Sequence, residues 1–362
     1  MKKSILFLLV TSLFFISDLQ ASYRKLQYQG DLKPEAVAVN WDGIWAVAGE
    51  KRKDNRNSDF YLVKWNEKKQ DWEKQTLVAE DIFDFKTEGE LIGTPDGSLI
   101  ILSPVNNTMY QWANGKMTKL YEFGKRRGFD NLFSALAATD KDSIFHTYVK
   151  GVCLQTIPKR CSFSTYVKKL NPTTEKWEPY GKPLPGLWEK VSAGVDTTGV
   201  VGGTYSRKES SGVKGISGAI KRESKVFYWN NTDSKWQQLP IPINGDLRIN
   251  KIAVAKWNDI WFHLLGAANK IELYQWDGKT LEKKLELDAL NPDAMVIDLA
   301  AIPGRVVGVD FGGNVGVYEY RKHRIETKPV RPGDRRPPKI GGKTLAPIPL
   351  PKKIGEKTVA PR

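Results

Sequence analysis

Two cysteines and three histidines in 362 residues leave little material for several kinds of chemistry. A structural zinc centre needs roughly four Cys or His ligands at close spacing, whereas His146, His263 and His323 stand far apart. Neither a metal nor a cofactor is expected. A Ser-His-Asp or Cys-His nucleophile needs a base beside it, and no motif surrounds any of the three histidines. His146 follows Ile144-Phe145 and His263 follows Trp261-Phe262, strand-like settings that suit structural imidazoles. Asp81 with Asp84, and Asp140 with Asp142, are the candidates for a glycosidase-type acid and base pair, but turn carboxylates serve solvation and Asx turns far more often. The Gly-rich segments 200–203 and 311–313 lack the Lys-Ser/Thr of a phosphate-binding loop and read as turns. No enzymatic activity is expected.

Long apolar runs are equally scarce. The single one, Ile5–Ile16, follows Lys2 and Lys3 and precedes Leu19-Gln20-Ala21, which together read as a secretory signal peptide cleaved after Ala21. The run is too short to span about 30 Å of hydrocarbon, and no later segment approaches about 18 apolar residues. Export to a bacterial periplasm or beyond is therefore expected. In that oxidising setting Cys153 and Cys161, eight positions apart, read as a local disulfide, the alternative being two thiols.

Acidic residues are in deficit, with 56 Lys or Arg against 41 Asp or Glu and a net charge of +15. The excess is unevenly placed. Arg321–Arg362 holds 13 Lys or Arg against three acids, and Met1–Ala21 holds two lysines against Asp18, which leaves a surplus of four for residues 22–320. Eight of the 20 prolines lie in the last 34 residues, where aromatics vanish. Residues 329–362 accordingly read as a disordered basic tail. It repeats Lys339-Ile340-Gly341-Gly342-Lys343-Thr344 as Lys353-Ile354-Gly355-Glu356-Lys357-Thr358, fourteen residues on, and so suits bivalent contact with an anionic polymer or partner, or service as a spacer. Nucleic acid fits poorly, because no aromatic residue interleaves the cations.

Helical periodicity is nearly absent between Ser22 and Tyr320, and a β pattern recurs instead. Unit one runs Ala36-Val37-Ala38-Val39, turn Asn40-Trp41-Asp42-Gly43, Ile44-Trp45-Ala46-Val47, then Tyr61-Leu62-Val63-Lys64-Trp65 and Trp72. Unit five repeats it as Ile252-Ala253-Val254-Ala255, turn Lys256-Trp257-Asn258-Asp259, Ile260-Trp261-Phe262, then Leu273-Tyr274-Gln275-Trp276. Four looser copies bring the count to six. Alternating strands joined by Asp-Gly turns form antiparallel sheets, and six such sheets bury both faces by stacking radially. The predicted fold is all-β, a six-bladed β-propeller over residues 22–328, with two sandwich domains as the competing solution.

A strand ending in an Asp-Gly turn, a strand carrying Trp and a Tyr-x-x-Trp strand resemble the repeats of tectonin-type propellers, the family of fish-egg lectins and tachylectin-like proteins. The likeness covers units one and five well and the others faintly. It implies recognition of glycans or other surface patterns without catalysis.

Two candidate surfaces follow from propeller connectivity. On the side of the first-to-second turns, Trp41 with Asp42 and Trp257 with Asp259 form a candidate ligand site, through sugar stacking or simply by packing between blades. On the opposite side, long connections carry Lys51, Arg52, Lys53, Arg56, Lys159, Arg160, Arg207, Lys208, Lys221 and Arg222, a candidate anion-binding face or a set of solvated loop charges. The function expected is non-enzymatic recognition, by a monomer, of a glycan or anionic envelope polymer. A protein-interaction scaffold and a hydrolase with a channel site are the alternatives.

Overall fold

The computed structural model describes residues 22–26, 32–52, 57–82, 89–103, 108–122, 135–154, 160–188, 190–196, 199–208, 220–243, 247–266, 271–287, 298–310 and 316–321. They form six antiparallel sheets. Blade six is completed by the first strand of the chain, β1 (Ser22–Leu26). Blade one comprises β2 (Lys33–Asn40), β3 (Gly43–Lys51), β4 (Ser58–Asn66) and β5 (Asp71–Ile82). Blade two comprises β6 (Glu90–Gly93), β7 (Leu99–Ser103), β8 (Thr108–Ala113) and β9 (Lys116–Glu122). Blade three has β10 (Ala135–Asp140), β11 (Ser143–Leu154), β12 (Arg160–Asn171) and β13 (Lys176–Pro179), with the short β14 (Leu184–Pro185) also on β12. Blade four has β15 (Lys190–Ala193), β16 (Gly199–Lys208), β17 (Ile220–Asn230) and β18 (Lys235–Gln238). Blade five has β19 (Arg248–Lys256), β20 (Asp259–Leu265), β21 (Ile271–Trp276) and β22 (Leu281–Leu287). Blade six adds β23 (Asp298–Ile302), β24 (Arg305–Asp310) and β25 (Gly316–Arg321).

The inner strands β2, β6, β10, β15, β19 and β23 touch one another in sequence, and β23 returns to β2, so the ring is closed. Period-two alternation explains the stacking. In blade one Val37, Val39, Ile44 and Ala46 face blade six, whereas Ala36, Ala38, Trp45 and Val47 face blade two. Among the described residues each of the six seams holds its own hydrophobic cluster. The expected six-bladed, all-β architecture is the one observed.

Turn chemistry repeats with the blades. The Asn66 Oδ1 accepts the N–H groups of Lys68 and Lys69, as Asn171 does for Thr173 and Thr174, Asn230 for Thr232 and Asp233, and Asp277 for Lys279 and Thr280. The first three of these turns end in a residue of positive φ, Gln70, Glu175 and Ser234. Behind two of them a tryptophan pair packs edge to face at 5.3 Å, Trp65 on Trp72 and Trp229 on Trp236. The recurring pattern Trp-Asn followed six residues later by Trp is thus a folding signal, since an Asx bond closes the turn and the ring pair locks its register.

Connectivity separates two faces. First-to-second and third-to-fourth connections are tight turns on one side, here the turn face. Second-to-third and interblade connections lie on the other, the loop face.

The ring is sealed by charge as well as by strand pairing. β1 runs antiparallel to β25 from Ser22 opposite Arg321 to Leu26 opposite Val317. Its Arg24 donates to Glu319 of blade six at 2.6 Å and, through both terminal nitrogens, to Glu67 in the turn of blade one at 2.5 and 2.8 Å. Glu319, only 1 % exposed, also accepts from Arg305 and Arg321. Burial pushes the Glu319 carboxyl up, but the three guanidinium groups outweigh it and hold the group below the usual carboxylate range.

Candidate functional site

The six inner strands surround an axial channel whose cavity measures about 140 Å³. Its charged lining, Glu35, Glu90, Lys190, Lys251 and Asp298, comes from the loop-face ends of these strands. Much of this polarity stitches neighbouring blades together. Glu90 of blade two accepts the Leu136 N–H of blade three at 2.8 Å, and Ser192 of blade four accepts the Val254 N–H of blade five at 3.0 Å. Asp298 of blade six accepts the Val37 N–H of blade one at 3.0 Å and lies 3.7 Å from Lys251. Burial raises the Asp298 carboxyl above its ordinary range, while Lys251 and the N–H groups of Val37 and Leu299 work against that shift. Pockets for drug-sized ligands run to about 300–1,000 Å³, so this channel is smaller than such a pocket.

Both described histidines are built into the fold. His263 is fully buried, with Nε2 hydrogen-bonded to the Tyr318 hydroxyl across the seam between blades five and six. Burial, assisted by Lys251 directly opposite it in the ladder, lowers its pKa to about 3 and keeps the ring neutral. His146 stacks on Tyr148 and packs against Trp177. His323 lies outside the described residues.

The sequence-predicted ligand residues share the turn face but not one environment. Trp41 and Trp257 occupy corresponding turns of blades one and five, which blade six separates. Trp41 packs on the seam between blades six and one, where its indole nitrogen is buried. Asp42 is exposed, and its N–H is held by Asn40, which also accepts from Trp45 and donates to Gly97 of blade two. Trp257 stands 52 % exposed beside Gly278, its own N–H fixed by Asp196 of blade four at 2.7 Å. Asp259, expected beside it at the surface, is instead buried and accepts from Gln275 at 2.5 Å. It opens strand β20, and the pleat turns its side chain inward. The four residues therefore do not converge; Trp257 alone offers an open ring.

The cationic set divides similarly. Lys51 is exposed. Arg52 is not a free cation, because Asp59 and Glu80 each accept from it at 2.8 Å and Asp81 lies 3.6 Å away. Lys53, Arg56 and Lys159 lie outside the described residues, as do the side chains of Arg160, Arg207, Lys208, Lys221 and Arg222. The backbone register is defined, however, and places Arg207 opposite Lys221 and Ser206 opposite Arg222 on the β16–β17 hairpin. It likewise places Cys153 directly opposite Cys161 on β11–β12, while their side chains lie outside the described residues. Residues 1–21 and 329–362 also lie outside them. Among the described residues no helix is long and apolar enough to cross a membrane, and no group of three potential metal ligands occurs.

Fold and site together define a six-bladed propeller with a narrow, internally bonded axis and two unlike faces. No family model and no curated protein matches the chain. Solved structures with a similar backbone path include a streptogramin B lyase, 13% identical with a TM-score of 0.46, covering 83% of this chain and 98% of that one. Another is the Penicillium chrysogenum alpha-L-arabinanase in complex with arabinobiose, 9% identical with a TM-score of 0.47, covering 85% and 99%. An ulvan lyase of polysaccharide lyase family PL25 is 10% identical with a TM-score of 0.45, covering 83% and 96%. At such identities the likeness is one of architecture and carries no site with it.

Proposed function

We propose that the chain is an exported, non-enzymatic propeller that binds glycans of a cell envelope or host surface, in the manner of tectonin-like repeats. The observation that carries this reading is Trp257. Single exposed apolar side chains are common on protein surfaces, but this ring is held in place: the Trp257 N–H is bound by Asp196, and the adjoining turn is closed by Asp277. Such a ring stacks on the C–H face of a sugar. The small channel and its interblade hydrogen bonds weigh against a hydrolase with an axial site. Export is in keeping with β1, which begins at Ser22, directly after the expected cleavage point.

Trp257→Ala is expected to reduce retention on a glycan array about tenfold, a loss of about 1.4 kcal/mol, with the near-ultraviolet circular dichroism of the fold intact. Trp41→Ala should lower thermal stability and leave retention unchanged, because that ring is packed. Equal retention by Trp257→Ala and the parent protein would remove the sugar-stacking role.

In the exported protein the facing Cys153 and Cys161 form a disulfide across the β11–β12 hairpin. Alkylating the denatured mature protein before reduction should then add no mass, and reduction should expose two thiols. Two alkylated cysteines without reduction would argue against an oxidising compartment.

A further inference from the structure

The tetrapeptide Thr-Tyr-Val-Lys occurs twice in blade three, at residues 147–150 and 165–168. The β11–β12 register folds the copies onto each other, with Tyr148 opposite Tyr166, Thr147 opposite Val167 and Val149 opposite Thr165. Side chains alternate across a strand, so each copy sends Tyr and Lys to one face and Thr and Val to the other. Val167 enters the cluster between blades three and four. The tyrosine face turns instead toward blade two, the side on which Leu136 and Ile144 pack.

That face is a continuous aromatic column. Tyr148 and Tyr166 stack at 5.0 Å and 14°. His146 continues the stack against Tyr148, Trp177 packs on His146, and Tyr121 of blade two meets Trp177 edge-on. The column is rigid at its base, where Trp177 and Tyr121 belong to the seam. Over its upper end hang two ammonium groups. Lys150 lies 5.7 Å from the Tyr148 ring and 5.5 Å from the Tyr166 ring, and Lys168 lies 5.0 Å from Tyr148. Among the described residues neither lysine has a carboxylate partner, in contrast to Lys69, Lys74, Lys119, Lys141 and Lys283.

The position suits access. The β7–β8 ladder of blade two has five paired positions and the β11–β12 ladder at least ten. Tyr148 and Tyr166 form the fourth β11–β12 pair and Lys150 stands in the sixth, so among the described residues Lys150 lies past the last β7–β8 pair while the tyrosines lie level with the end of that ladder. Both tyrosines are half-buried and Lys150 is exposed.

We infer that the tyrosine and lysine face of the β11–β12 hairpin, formed by Tyr148, Tyr166, Lys150 and Lys168, binds an acidic polysaccharide. Two unpaired ammonium groups select an anion. Stacked phenol rings beside them select pyranose rings along it. The ligand class is a glycan bearing carboxylates or sulfates on successive sugars. The inference rests on the glycan reading above but uses the opposite face of the disc and none of the Trp257 site.

The test uses the mature full-length protein and isothermal titration with oligogalacturonate of about six sugars, maltohexaose as the neutral counterpart and an oligoglutamate peptide of similar charge. Oligogalacturonate should bind more tightly than either, and less tightly as salt rises. Lys150→Gln with Lys168→Gln should weaken it at least tenfold, as should Tyr148→Ala with Tyr166→Ala, while Trp257→Ala leaves it unchanged. Undiminished binding by the lysine double variant, equal affinity for the peptide, or no binding of oligogalacturonate by the parent would each overturn the inference. Loss of neutral-glycan retention in Trp257→Ala reports on the turn face alone, so the two readings fail separately.

Discussion

Below pH 6.5 the protein is expected to lose stability at up to about 1.4 kcal/mol per pH unit, because His263 is buried neutral. Its folded pKa of about 3 lies below its ordinary value of 6.5. Protons therefore bind the unfolded chain first, and the contribution of His263 to stability is complete above pH 6.5 and drains away as pH falls from 6.5 toward 3. The groups facing the ring reinforce this. Lys251 is opposite in the ladder and repels an imidazolium, while Tyr318 holds Nε2 from blade six. Asp298, beside Lys251, acts in the opposite sense: its raised carboxyl favours the folded state more as pH falls. Urea denaturation at half-unit steps from pH 7 to pH 4 should show the decline in the parent and a flatter profile in His263→Gln. Parallel profiles would assign the acid sensitivity elsewhere.

Replacing Glu319 with Ala is expected to cost about 3–5 kcal/mol, the usual consequence of stripping the partner from buried charge. Arg24, Arg305 and Arg321 would be left around Glu67 alone. Arg305 is the most enclosed of the three, and burial already lowers its pKa. Arg24→Met, which keeps the apolar stem, should cost less, since Arg24 is a third exposed and Glu319 retains two partners. Its loss should nonetheless unzip β1 preferentially, seen as faster amide exchange in Leu26 and Val317 than in the strands of blade three. A Glu319→Ala variant within about 1 kcal/mol of the parent would mean that strand pairing alone seals the ring.

The latch shows where sequence reading stops. Six units were legible from short-range features: alternation over a few residues throughout, with an Asp-Gly turn in units one and two and a third strand ending in Trp in units one, two, four and five. The closing strand has no such signature. Ser22–Leu26 contributes the fourth strand of blade six, whose other strands lie almost 300 residues away, and Arg24 finds Glu319 across a separation of 295. The same limit applies to the site. Trp41 and Trp257 stand in equivalent sequence, yet one is packed and the other open, because the neighbouring blade differs at each seam. Arg52 reads as a free cation in sequence and is enclosed by three acids, two of them contributed by β5. The doubled Thr-Tyr-Val-Lys was visible in the chain, but its meaning depended on a register that sets Tyr on Tyr.

What the sequence determined by itself was the architecture: an all-β chain of six repeats, because the periodicities that form strands and turns act over a few bonds. Only the tertiary structure decided how the ring is sealed, which tryptophan reaches solvent and which cations are left unpaired. Those outcomes depend on burial and charge pairing between blades, and no local pattern encodes the neighbour that each blade will meet.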